Sequence, residues 1–188
     1  MFSRELAVIL LLISSGVAFG QAADTRIETI RNLYADANAR IAEMKRNPAE
    51  SSIFAVEIVV NKYSAPYPAV GIYRRTATFY YTYGDRERNP YPDRLVKIET
   101  EGTRSAQVEN TEILFNNAGE LVFMFRSTPG SPIEETRSYF SGGSLIRLID
   151  DGKNIGLRTK RAVEAGTAAR KESARLVGIF QASLIDYD

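Results

Sequence analysis

The chain has 188 residues, a formal net charge of +1 and no Cys, His or Trp. Without Cys there are no disulfides, thiol nucleophiles or thiolate metal sites, and without His the Ser–His and Cys–His catalytic pairs and most zinc sites are excluded. The charge balance opposes a general nucleic-acid binder, which carries a strong basic excess.

The first segment reads as an export signal. Arg4 and Glu5 precede an apolar run from Leu6 to Ile13, and small residues follow through Gly20. That order of charged start, apolar centre and small-residue exit marks a secretory signal peptide over residues 1–21. The run is shorter than the ~20 apolar residues of a membrane span. The expectation is a cleaved chain of about 165 residues, 22–188, forming one domain without a transmembrane segment, periplasmic or secreted.

Ile27, Ile30, Tyr34, Ala37, Ile41 and Met44 then recur at steps of three and four, one apolar stripe of a helix. Thr25 and Glu28 fit a capping box at its start, and Asn47 before Pro48 ends it. The stripe is expected to pack on the protein's own sheet; a dimer seam is the weaker reading, since fewer than three heptads are present.

From Ile53 to Ile149 the period falls to two. Strands are expected at Phe54–Val60, Tyr73–Tyr83, Leu95–Glu101, Val108–Phe115, Glu120–Arg126, Glu134–Phe140 and Leu145–Asp150. Turn residues between them predict an antiparallel meander of about seven strands. A C-terminal helix over Lys160–Leu184 follows, weakened by Gly166 and Gly178. The fold class is therefore α+β, with both helices expected on one sheet face.

Two hairpins echo each other, Ile113–Phe125 and Arg137–Ile149, each with a short Asn/Gly/Ser turn and Leu opening the second strand. The helix segment Ile30–Ala35, the hairpin Tyr139–Arg147 with Gly142 and Gly143, and the following Asp151, Gly152 and Lys153 resemble a loose group of exported bacterial proteins of unknown function. The resemblance covers roughly residues 27–153. It implies a helix followed by a β-hairpin meander and an extracytoplasmic address, and it carries over no activity, cofactor or catalytic residue.

Two loops are candidate binding elements. One holds Tyr83, Arg86, Arg88, Tyr91 and Arg94 around Pro90 and Pro92. Arg and Tyr combine large contact area with polar tips, as binding surfaces need. The other joins the first two strands and holds Tyr63 and Tyr67 near prolines. For each, a plain connecting loop is the competing reading. Glu99 and Glu101 share a strand face, as ordinary solvated pairs do, whereas a glycosidase needs two carboxylates facing across a cleft. Asp150–Asn154 lacks the ligand spacing of a calcium loop and reads as a turn. An open aromatic sheet face is a further candidate platform.

The sequence thus points to a non-enzymatic exported binding protein of the bacterial envelope. Its expected partner is an envelope protein or polymer and not nucleic acid; no catalytic residue, cofactor or metal is expected. The alternative is a carboxylate-based glycan hydrolase or another envelope enzyme.

Overall fold

A computed structural model describes residues 3–68, 71–84, 92–104, 107–130 and 132–184, with side chains from Asp24 onward except that of Asp93. The chain runs α1 (Ser3–Arg46), β1 (Phe54–Val60), β2 (Pro66–Tyr67), β3 (Gly71–Tyr83), β4 (Pro92–Arg104), β5 (Gln107–Phe115), β6 (Leu121–Thr128), β7 (Glu134–Ser141), β8 (Ser144–Asp150), β9 (Lys153–Ile155) and α2 (Lys160–Ala182). Consecutive strands pair antiparallel in the order β1-β3-β4-β5-β6-β7-β8-β9, with β2 on the end of β3. All seven expected strands are present. The sheet has about nine because Pro66–Tyr67 folds back on Gly71–Ile72, and because Asp151 and Gly152, at φ 47° and 77°, turn the chain into β9. Among the described residues no helix is long and apolar enough to cross a membrane.

The two helices lie on opposite faces, not on one. In β3, Phe79 and Tyr81 point to α2 while Tyr80 points to α1; in β5, Ile113 and Phe115 point to α2 while Leu114 points to α1. Consecutive buried residues therefore face two different cores. The α2 core gathers Phe79, Ile98, Ile113, Met124, Phe140, Leu176 and Phe180. The α1 core gathers Ile27, Ile30, Ala37, Leu114, Val122, Phe123 and Tyr139, with Ile41 and Ile53 against Tyr80 nearby. The stripe of α1 is thus covered by its own sheet. A sheet buried on both faces needs apolar residues at both parities of its strands, and the central segments of β3, β5 and β6 supply them.

α1 does not begin at Thr25. It continues from Ser3, and Thr25 is an interior residue whose carbonyl accepts from Thr29 Oγ1 at 3.0 Å. Between Gln21 and Ile27 the sequence has no Pro or Gly to break the helix. α2 starts at the N-cap Thr159, whose hydroxyl accepts from the Ala162 amide at 3.3 Å. Gly166 lies where a Cβ would stand 3.4 Å from the Leu145 side chain, at the near edge of ordinary van der Waals contact between α2 and β8. The Thr159→Ala variant is expected to lose about 1 kcal/mol of stability, read as a lower urea midpoint at unchanged slope.

Candidate functional site

The most heavily buried charge among the described residues of the sheet lies beside a β-bulge. Tyr80 pairs with Lys97 and Tyr81 with Leu95, so Val96 is the extra residue and Val96 and Lys97 both turn toward α1. The Lys97 side chain is 2 % exposed. Its Nζ donates to Asn38 Oδ1 at 2.7 Å and to Glu99 Oε1 at 2.8 Å, and stands 2.6 Å from Glu112 Oε2. It also lies 5.0 Å from the centre of the Tyr34 ring. The Tyr34 hydroxyl donates to Glu112 at 2.7 Å, and the Tyr80 hydroxyl donates to Glu99 at 2.9 Å. One ammonium thus holds two carboxylates, and α1 contributes Tyr34 and Asn38.

The electrostatics keep Lys97 and Glu99 ionised. Burial alone pushes Glu99 up, but the hydrogen bond and charge of Lys97 and the Tyr80 hydroxyl outweigh it, and its pKa falls below the usual carboxylate value. Burial alone pushes Lys97 down, yet Glu112 and Glu99 hold it above the usual lysine value. Burial, then the bonds to carboxylates, raises both Tyr34 and Tyr80. Glu99 is therefore neither a solvated member of an acidic pair nor a proton donor at neutral pH. Glu101, on the same sheet face, is exposed.

These shifts set a pH profile. A depressed carboxylate stabilises the fold above its unfolded value of 4.5, and that stability is lost as pH falls through the lower folded value. Glu172 shares this behaviour, its burial offset by Arg175 and Arg75, as does Asp150, held down chiefly by Arg161. The raised Lys97 contributes stability fully below 10.5, lost as pH climbs through its folded value. Urea midpoints are expected to be flat between these limits and to fall on both sides. In Glu99→Gln the acid-side slope is expected to shrink.

Next to this cluster, a groove of about 270 Å³ opens between α1 and the β6–β7 pair. Phe123, Phe125 and Tyr139 line the strand side, and Ile30 and Tyr34 form the helix wall. Phe123 packs edge-on to Tyr34, with centroids 5.3 Å apart, and against Tyr139 at 5.0 Å. Arg31 and Arg137 also line the groove, and the Arg137 guanidinium lies over the Phe125 ring at 5.5 Å while its Nη2 donates to Glu135 at 2.7 Å. The pairing Phe125↔Arg137 across β6 and β7 places ring and guanidinium side by side. Tyr34 belongs to both features, so the Lys97 cluster fixes the wall of the groove.

The sequence candidates fall elsewhere. Tyr83 is half-buried and packs edge-on to Phe54 at 4.9 Å and Tyr81 at 5.6 Å. Arg94 is half-buried beside a shallow depression near the end of α2. Arg86, Arg88 and Tyr91 lie outside the described residues. Tyr63 and Tyr67 are exposed, 87 % and 45 %, at the opposite end of β3. Tyr73 and Tyr83 are ten residues apart on that strand, roughly 33 Å at strand rise, so the two loops do not form one site. The sheet is not open as an aromatic platform, because α1 covers one face and α2 the other; along the α1 groove Phe123 and Tyr139 are buried and Phe125 is half-buried. A signal was present in the sequence: Phe123 and Phe125 share a strand face, and Arg137 and Tyr139 share one on the next strand.

Among the described residues no cluster of three or more acidic side chains could hold a metal ion. No family model, curated protein or solved structure matches the chain.

Proposed function

We propose that this is a non-enzymatic exported binding protein of the bacterial envelope, periplasmic or secreted, that holds a protein partner in the groove between α1 and β6–β7. The observation that carries the reading is an aromatic floor with two arginines along its rim. Desolvated aromatics and Arg are the side chains that dominate binding energy at protein interfaces. The volume lies below the ~300–1,000 Å³ usual for small-molecule pockets and suits one apolar anchor side chain. Arg31 and Arg137 favour a carboxylate next to that anchor. The loop from Tyr83 to Arg94 and the exposed Tyr63 and Tyr67 stand as secondary contacts in this proposal.

The test is a crosslinked capture from the cell envelope with wild type, Phe125→Ala and Arg137→Ala, each first checked for native circular dichroism. The expected result is one enriched protein, lost from both variants and weakened by salt, since rim arginines act partly through charge. Equal capture by all three proteins, or no enriched protein, contradicts the groove.

A further inference from the structure

On the opposite face, beside α2, the outer ends of the strands form a second concave surface. Two grooves of about 360 and 240 Å³ meet at Thr128 and run across β3 to β7. The larger lies over Gly102, a glycine near the end of β4 that pairs with Arg75 on β3 and Glu109 on β5. A Cβ at Gly102 would meet only the Glu109 carbonyl oxygen, at 3.9 Å, so no neighbouring side chain fills the floor. Glycine within a strand often marks a place where a ligand approaches the backbone.

The unpartnered polar groups gather on the same face. Among the described residues, three buried side-chain atoms have no hydrogen-bond partner: Arg75 Nε, Thr111 Oγ1 and Arg126 Nε. Thr111 is 1 % exposed and pairs in register with both Thr100 and Arg126. Arg126 Nε stands 3.3 Å from Glu109 Oε1 without the alignment of a hydrogen bond. The other side of Arg75 is taken by Glu172 of α2. Such orphaned groups are rare in folded proteins; these atoms are themselves enclosed, while the Arg75 and Arg126 side chains remain 23 % and 39 % exposed along the trough.

The charges decide what kind of ligand fits. Arg75, Arg126 and Arg161 line the trough with as many acids, Glu109, Glu134 and Glu164, and each arginine is already ion-paired, with Glu172, Glu109 and Asp150 in turn. A multiply charged anion gains nothing from that balance. A molecule rich in hydroxyls does, because each hydroxyl can donate to a carboxylate and accept from a guanidinium or a threonine. Tyr73 at one end offers an aromatic face. We propose that this trough binds a neutral oligosaccharide laid across β3–β7, a site separate from the α1 groove.

The full chain is screened against an array of neutral and acidic oligosaccharides, and the hits are measured by calorimetry with inorganic phosphate as a second probe. Gly102→Leu fills the floor at a position where the strand has room, and Arg126→Met removes a guanidinium that lines the trough. The expected result is binding of a neutral oligosaccharide, weakened about tenfold or more in both variants, with an unchanged melting temperature in Gly102→Leu. Absence of any glycan hit, binding of acidic glycans or phosphate alone, or undiminished binding by Gly102→Leu overturns the proposal.

Discussion

Replacing Lys97 with Met is expected to destabilise the protein by about 3–5 kcal/mol, the usual cost of removing one partner from a buried ionic cluster. The ammonium is almost fully enclosed and satisfies Asn38, Glu99 and Glu112 together. Methionine fills a similar volume, so the loss is one of charge and hydrogen bonding and not of packing. It leaves two carboxylates close together beneath α1 with no cation between them. Adding Glu112→Gln to Lys97→Met is expected to recover part of the loss, because one of the uncompensated charges goes with it. Urea denaturation of the wild type, both single variants and the double variant measures this coupling. A Lys97→Met protein as stable as wild type would show that the cluster does not hold α1 to the sheet.

Phe79→Ala should cost a similar amount, about 3–5 kcal/mol. Phe79 is fully buried at the centre of the α2 core, and its ring stacks on Phe180 with centroids 5.6 Å apart and planes 22° apart. The loss combines the transfer of a large apolar side chain with the cavity left beneath α2. Phe180 also touches Tyr81, at 5.3 Å, so Phe180→Ala loses contacts to two rings. A double-mutant cycle between Phe79 and Phe180 should show a coupling of about 0.5–1.5 kcal/mol beyond buried area. Because the two cores lie on opposite faces, Phe79→Ala and Lys97→Met should be close to additive only where their effects do not pass through β3 and β4, which carry both.

Local pattern was enough to read the seven longer strands, their order and the C-terminal helix, but not the short β2 and β9. Alternation in Phe54–Val60 and the glycines at 119, 142 and 143, all at positive φ, determine hairpins within a few residues. The placing of the helices was not local. Phe79, Tyr80 and Tyr81 are consecutive and all buried, and such a run fits two-sided burial better than a one-sided meander. The bulge at Val96 was hidden, since one extra residue leaves no mark in composition; it brings Val96 onto the α1 face beside Lys97, which faces α1 through its pairing with Tyr80. A lysine between Val96 and Ile98 looks like an ordinary solvated position in an alternating strand. Its burial depends on Asn38 of α1 and Glu112 of β5, far away in sequence. The aromatic groove was only partly readable for the same reason: Phe123, Phe125 and Tyr139 are visible in their strands, but their open side is defined by where α1 stops covering them.

The most direct test of the binding account is site-specific photocrosslinking in cells. A photoreactive phenylalanine is placed at Ala35, exposed and one turn from Arg31 on the same side of α1, and, as a control, at the exposed Arg170 of α2. The account predicts one discrete protein adduct from position 35, abolished by Arg137→Ala, and none of that size from position 170. No adduct at position 35, or the same adduct from both positions, would contradict it.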